Sequence, residues 1–250
     1  MKPRTSHRPL VFAHRGASAV APMNTLAAFK KAMELGADGI ELDVQYSSDG
    51  ALVVIHDTTL EATTNGTGRV VSLTLAELKQ LDAGSWFDRR FRGERIPTLA
   101  EVFDTIGDRL LVNIELKTFA LFPSDGMDRD VAAFIRQRNL YDQVIISSFN
   151  PFALRRVKQA DPRIETGLLY APEMPRIYSH TWLRPWVRPD ALHPEHGMVD
   201  ERLMRWAKKK GYPVNVWTVN EEEEMKRLIA LGVNMIITDH PDRLLALLGR

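Results

Sequence analysis

Short apolar runs bounded by polar turn residues alternate with stretches of helical period along this chain. Eight runs read as strands: residues 10–13, 39–46, 110–116, 144–148, 164–169, 191–193, 214–219 and 235–238. Helical patterns occupy 25–35, 98–106, 128–138, 151–160, 200–210, 221–230 and 241–248. Asn150 can cap a helix with Pro151 at its first position. Glu221 to Glu224 place negative charge where a helix dipole favours it, reason enough for that acidic run without invoking a metal. Strands with helices between them predict an α/β fold, a parallel sheet closed into a (β/α)8 TIM barrel. The fifth unit is the weakest, because Pro172, Pro175, Pro185 and Pro189 leave room only for a short or irregular helix. Residues 57–97 fall outside the rhythm and read as a small insertion after the second strand, within one domain.

Composition narrows the possibilities. A chain of 250 residues, 44% of them hydrophobic, can bury the core of one large barrel. A net charge of +1 excludes a bulk field toward nucleic acid or an anionic bilayer, so anion binding has to come from local placement. The apolar runs are too short to span a membrane, and the opening MKPRTSHRPL lacks the apolar segment of a secretory signal. No nucleic-acid partner and no stable membrane association are expected. Zero cysteines exclude thiol catalysis, disulfides and thiolate metal sites, which fits a cytoplasmic protein.

The most informative stretch is GIELDVQYSSDGALVVIHD, residues 39–57. Glu41 and Asp43 are two apart in an apolar run, so on a strand both side chains leave one face. Ser48-Asp49-Gly50 marks a hairpin, and a two-residue Asp-Gly loop would set His56 directly across from Asp43. A solvated ribbon with a polar outer face would not cluster charge this tightly. Active sites of such barrels lie at the carboxyl ends of the strands. His14-Arg15-Gly16 follows the first strand, and Glu115 and Lys117 end the third, again on one face. Three carboxylates without a thiolate make a hard-oxygen site suited to Mg²⁺ or Ca²⁺. Arg15 and Lys117 add the positive charge a phosphate ester needs, and His14 and His56 supply an acid/base pair. Trp217 shares a face with Asn215 and reads as an apolar wall for the substrate, with barrel packing as the plain alternative. His193 at the end of the sixth strand reads as structural, with pocket lining as the alternative. His196, His180 and His7 read as structural, Asp239 as a cap of the last helix, and Trp86 and Phe87 as either a pocket cover or an anchor.

HRGASAVAPMNTLAAF, DGIELDVQYSSDGALVVIHD, NIELK, VNVWTVN and ITDHPD together resemble the glycerophosphodiester phosphodiesterases, in unbroken order from about residue 10 to 248. The resemblance implies a barrel that cleaves small phosphodiesters, such as glycerophosphocholine or glycerophosphoethanolamine, to glycerol 3-phosphate and an alcohol. It implies a divalent cation on Glu41, Asp43 and Glu115, catalytic histidines at His14 and His56, and phosphate-binding cations at Arg15 and Lys117. The irregular segment 57–97 matches the small insertion of that group. Two rivals stand beside this reading. One is a phospholipase D-like headgroup hydrolase, hinted at by Trp182, Arg184, Trp186 and Arg188; the other is a phosphodiester-binding protein without turnover. The second arises because the family's Pro-Glu-Asn-Thr is here Pro22-Met23-Asn24-Thr25, and a thioether is only a weak acceptor near His14 and Arg15. With every metal carboxylate and both histidines kept, an active enzyme is expected. Met23→Glu should then raise kcat/KM in a phosphodiester hydrolysis assay; an unchanged or lower value would count against a supporting role for this position.

Overall fold

The computed structural model describes residues 8–118, 124–174 and 184–250. Its centre is β1 (Leu10–His14), parallel to β2 (Gly39–Tyr46) on one side and to β9 (Met235–Thr238) on the other. Beyond β2 the sheet continues through β4 (Leu111–Leu116), β5 (Val144–Ser148), β6 (Glu165–Tyr170) and β7 (Ala191–Pro194). Beyond β9 lies β8 (Asn215–Val216). The two ends meet: Leu192 pairs with Val214 and Glu195 with Trp217, both in parallel. Leu192 N donates to Pro213 O at 2.9 Å and His196 N to Trp217 O at 3.0 Å. Eight parallel strands therefore form the expected, nearly closed barrel. A short β3 (Leu52–Val54) hangs from β2 as an antiparallel partner.

The outer layer follows from sequence signals. It comprises α1 (Leu26–Leu35), α3 (Leu99–Ile106), α4 (Met127–Arg138), α5 (Pro151–Ala160), α7 (Glu201–Lys210), α8 (Glu222–Leu231) and α9 (Pro241–Leu247), with a short α2 (Leu75–Leu78) and a short α6 (Arg184–Val187). Thr98 and Glu101 form a reciprocal capping box on α3, and Asn150 accepts from Phe152 N and Ala153 N ahead of Pro151. Among the described residues of the proline-interrupted unit lies the four-residue α6. His7, His180, Trp182 and Pro175 lie outside the described residues.

Two cores of opposite character result. Outward strand residues such as Ile40, Leu42, Val112, Ile114 and Ile146 pack against Phe29, Phe103, Ile135 and Leu154 of the helices. In the barrel interior Phe12, Met235 and Ile237 form a small apolar plug, with Leu10, Leu111 and Trp217 against it. Buried residues at other inward-facing strand positions mix Ile145, Leu169 and Ala191 with the polar Asn113, Ser147, His193 and Asn215. Two glycines make this interior possible. A Cβ on Gly39 would lie 2.5 Å from the Phe12 ring, and one on Gly167 would lie 2.3 Å from the His193 ring. A separate small core of Val53, Ile55, Leu60, Val70, Leu78 and Ile96 sits under residues 57–97. Among the described residues, no helix is long and apolar enough to cross a membrane.

The hairpin departs from expectation by one residue. Ser47 N donates to Ala51 O and Gly50 N to Ser47 O, so the loop is the three residues Ser48-Asp49-Gly50. Gly50 closes it at φ 81°, the left-handed position that such loops reserve for glycine. Asp49 holds the turn by accepting from Ser47 Oγ and Leu75 N. Ile55 N donates to Asp43 O at 3.0 Å, which makes Ile55, not His56, the residue across from Asp43. Gly39→Ala should lower the unfolding free energy by about 1–3 kcal/mol in urea denaturation, since the new methyl also meets Leu111 O at 2.7 Å. An unchanged midpoint would mean that the Phe12 ring moves aside freely.

Candidate active site

Three carboxylates meet where β2 and β4 run side by side. Asp43 is paired in register with Glu115, and Glu41 lies two residues earlier on the same face as Asp43. Glu41, Asp43 and Glu115 are only 3%, 1% and 9% exposed. Each offers an oxygen within 4.8 Å of the others. Lys117 Nζ lies 2.6 Å from Glu115 Oε1 and 3.1 Å from Asp43 Oδ1, while Arg15 Nε lies 3.3 Å from Asp43 Oδ2. The Lys117–Asp43 contact is an ion pair without hydrogen-bond alignment, so Asp43 Oδ1 has no aligned donor among the described residues.

The loop after β1 is bent around this cluster. Arg15 and Asn24 both adopt left-handed backbone, at φ 55° and 57°. Each such non-glycine position costs of order 1–3 kcal/mol, retained only where neighbours dictate it. Here they do. Asn24 N donates to Arg15 O, Arg15 N to Glu41 Oε2, and Asn24 Nδ2 to Asp43 Oδ2 at 2.9 Å. Gly16 lets the loop press onto α1, since a Cβ there would sit 2.7 Å from the Ala28 backbone. Arg15 Nη1 donates to Met23 Sδ at 3.3 Å, the position where the sequence lacks its expected glutamate.

Each histidine is anchored through Nδ1. His14 Nδ1 lies 2.6 Å from Asp239 Oδ1, with Nε2 3.9 Å from Glu41 Oε2. His56 Nδ1 lies 2.7 Å from Asp57 Oδ1. The shifted hairpin would turn His56 away if β3 continued, but β3 stops at Val54. Gln45 Nε2 then lies within 3.0 Å of the carbonyl oxygens of Ile55, His56 and Asp57 and gathers the chain back toward the site. His56 lines one small pocket with Met23, Asn24 and Thr63.

Charge is unbalanced. Burial pushes Glu41 well above the ordinary carboxylate range, and the Asp43 and Glu115 charges push it further. Burial also raises Glu115, whereas for Asp43 the Lys117 and Arg15 charges overcome burial and hold it low. Burial alone would lower Lys117, but Asp43 and Glu115 raise it instead. Burial is also the main reason that His56 titrates below its usual value. Three acids against two bases leave a deficit of positive charge at a nest of buried oxygens. Those donors, without sulfur, fit a divalent cation of the Mg²⁺ or Ca²⁺ type.

The remaining candidates separate clearly. Trp217 is half-buried at the end of β8, donates Nε1 to His193 O at 2.8 Å and stands edge-on to Phe149 at 5.3 Å. His193 does not reach the surface; burial drives it down to about 3, and its Nε2 meets Asn215 Nδ2 at 2.9 Å. His196 pairs with Glu224 and Glu195. Trp86 is anchored to Ala83 O and packs edge-on against Phe87. Asp239 is not the cap of α9, whose N-cap is His240 without a side-chain bond. Its carboxylate accepts from Ser18 Oγ at 2.8 Å and Asn220 Nδ2 at 2.6 Å and meets His14. The barrel register puts it there: Ala13 pairs with Thr238, so one more step of the same ladder faces His14 with Asp239.

A parallel barrel with this polar cluster at the carboxyl ends of its strands defines a barrel enzyme. Its match to a phosphodiesterase from Oleispira antarctica solved with the product sn-glycerol-3-phosphate has a TM-score of 0.84 at 33% identity, covering 97% of this chain and 98% of that one. The chain belongs to the glycerophosphoryl diester phosphodiesterase family, whose model matches residues 14–243. A glycerophosphodiester phosphodiesterase from Caldanaerobacter subterraneus is 48% identical over 250 residues, spanning 97% of this chain and 99% of that relative. Another from Bacillus subtilis is 35% identical, spanning 94% and 85%.

If the carboxylates take a cation, Mg²⁺ or Ca²⁺ at a hundred times its Kd should add about 2.7 kcal/mol to stability, read as a rise in melting temperature over an EDTA control. Folding raises the Glu41 pKa, so its ionisation subtracts from ion-free stability as pH climbs through the raised value. Glu41→Gln should therefore abolish the cation-induced rise without lowering the ion-free melting temperature at pH 8. A wild-type melting curve indifferent to both ions would exclude the site.

Proposed function

We propose that this protein hydrolyses glycerophosphodiesters such as glycerophosphocholine or glycerophosphoethanolamine to glycerol 3-phosphate and an alcohol, with Mg²⁺ or Ca²⁺ held by Glu41, Asp43 and Glu115. The observation that carries this is the convergence of three buried carboxylates, two cations and an imidazole, His14, at one barrel mouth, with His56 gathered beside them. The product held by the Oleispira relative supports the substrate class. When bound, the cation supplies charge to the phosphoryl oxygens and acidifies the attacking group.

The protein's own residues supply the rest. Arg15 contacts Asp43, and Lys117 contacts Asp43 and Glu115; in the substrate complex their N–H groups would turn to the non-bridging phosphate oxygens. His14 and His56 each spend Nδ1 on a carboxylate, leaving Nε2 as the atom that exchanges protons. One ring accepts the proton of the attacking oxygen and the other protonates the departing alkoxide. The bonds from Asn24 N to Arg15 O, Arg15 N to Glu41 and Asn24 Nδ2 to Asp43 hold the strained cationic loop in place before substrate arrives. Trp217, braced by Phe149, presents an apolar face to the glycerol carbons.

A coupled assay for glycerol 3-phosphate release from glycerophosphocholine should show turnover that EDTA removes and Mg²⁺ or Ca²⁺ restores. His14→Ala and His56→Ala should each lose about 10²–10⁴-fold in kcat while melting like the wild type. No release from either glycerophosphodiester, or near-normal turnover by His14→Ala, would overturn the assignment.

A further inference from the structure

We infer that Asp239 is a positioning residue for His14, locking the ring with its Nε2 toward the carboxylate cluster through a bond network that crosses from β9 to β1 and β8. This rests on the proposed catalytic role of His14. Asp239 directly follows β9, beside the end of β1, and its Oδ1 lies 2.6 Å from His14 Nδ1. Ser18 Oγ, from the loop after β1, donates to the same oxygen, and Asn220 Nδ2, from the loop after β8, donates to the other. Asn220 is itself fixed, since its Oδ1 accepts from Asp239 N at 3.0 Å and Thr238 Oγ1 at 3.2 Å. Asp239 O accepts from Ala19 N, tying the same residue to the β1 loop a second time. Two loops, after β1 and after β8, thus fix one carboxylate in both position and plane.

The consequence is chemical. These hydrogen bonds and the facing imidazole outweigh burial and keep the Asp239 carboxyl ionised. A carboxylate only accepts, so His14 must carry its hydrogen on Nδ1. A neutral His14 then has its lone pair on Nε2, on the side of Glu41. The opposite tautomer would set two acceptors against each other at 2.6 Å. During turnover the exchanged proton enters and leaves at Nε2, while Nδ1–H stays on Asp239, which is not itself protonated. His56 is held differently: its partner Asp57 is the next residue, and its backbone is gathered by Gln45. Among the described residues no helix cap and no Lys or Arg partner explains Asp239: α9 takes no bond from it, and the Glu41, Asp43 and Glu115 group does not include it.

The test compares Asp239→Asn, Asp239→Glu and Asn220→Ala with the wild type and His14→Ala, each loaded with Mg²⁺. Asp239→Asn should lower kcat for glycerophosphocholine by about 10²-fold or more, with KM and the Mg²⁺ midpoint changed less than about twofold. The ¹⁵N–¹H multiple-bond spectrum of the His14 ring should show the Nδ1–H tautomer in the wild type and lose it in Asp239→Asn. Asp239→Glu should recover part of kcat. Should Asp239→Asn fail to fold, Asn220→Ala decides, with an expected loss of about threefold or more in kcat at an unchanged KM. A kcat within about twofold of wild type in the decisive variant, an unaltered tautomer in Asp239→Asn, or equal losses in kcat and Mg²⁺ binding would overturn the inference. Substantial turnover by His14→Ala would instead remove the catalytic role on which it rests.

Discussion

Burying three carboxylates within 4.8 Å of one another is the demand that the rest of this molecule answers. Like charges so close and so dry repel strongly, and desolvation penalises each of them. Arg15 and Lys117 offset part of this, and their placement explains much of the local backbone. Lys117 follows Glu115 by two residues, one past the end of β4, and its N still donates to Val44 O. A regular continuation of the strand therefore delivers it to the same face without further device. Arg15 has no such convenience. It reaches Asp43 only because the chain turns left-handed at Arg15 and again at Asn24, whose amide is fastened to Asp43. A strained loop is the means by which a cation is brought to an anion.

The barrel makes that concentration of charge tolerable by separating two jobs. Cohesion comes mainly from the layer between strands and helices, where branched and aromatic side chains interlock. The interior can then be polar over much of its height. Phe12, Met235 and Ile237 form an apolar plug, while Asn113, Ser147, His193 and Asn215 bring polar side chains to other inward positions. His193 shows how far this goes: burial keeps the ring neutral, and Gly167 forgoes a side chain to admit it. A polar interior places a hydrogen-bonding environment rather than hydrocarbon beneath the carboxylates, which lowers the penalty of keeping them charged.

What the sequence disclosed and what it hid divide along a physical line. Period-two and helical patterns are local, and they placed β2, β5, β9 and α5 to the residue. Glu41, Asp43, Glu115 and Lys117 were legible for the same reason, because spacing along one strand fixes the face of each side chain. Register across a turn is not so determined. Asp-Gly suits a two-residue loop, but Ser47 and Asp49 stabilise a three-residue one, and a single residue of slip exchanged His56 for Ile55 opposite Asp43. Gln45 repaired the consequence, and no periodicity marks a glutamine for that task. Asp239 was hidden by distance, since its partner lies 225 residues away and its sequence neighbours read as a helix start.

Proximity in the chain and proximity in the barrel therefore serve the two imidazoles in opposite ways. His56 takes its carboxylate from the adjacent residue, a contact that could form before the barrel closes, but a side chain on a short ribbon has few neighbours to hold it. Gln45 compensates by seizing three successive carbonyls of that ribbon. His14 stands on a central strand whose backbone is already fixed by ladders on both sides, so its ring needs only an orienting acceptor. That acceptor comes from the last strand to be made, and the bond exists only once β9 has docked on β1. The His14 arrangement is thus a product of barrel closure. A chain whose barrel had not closed at this seam would still possess its carboxylates and its lysine, yet would lack an imidazole held at a fixed angle to them.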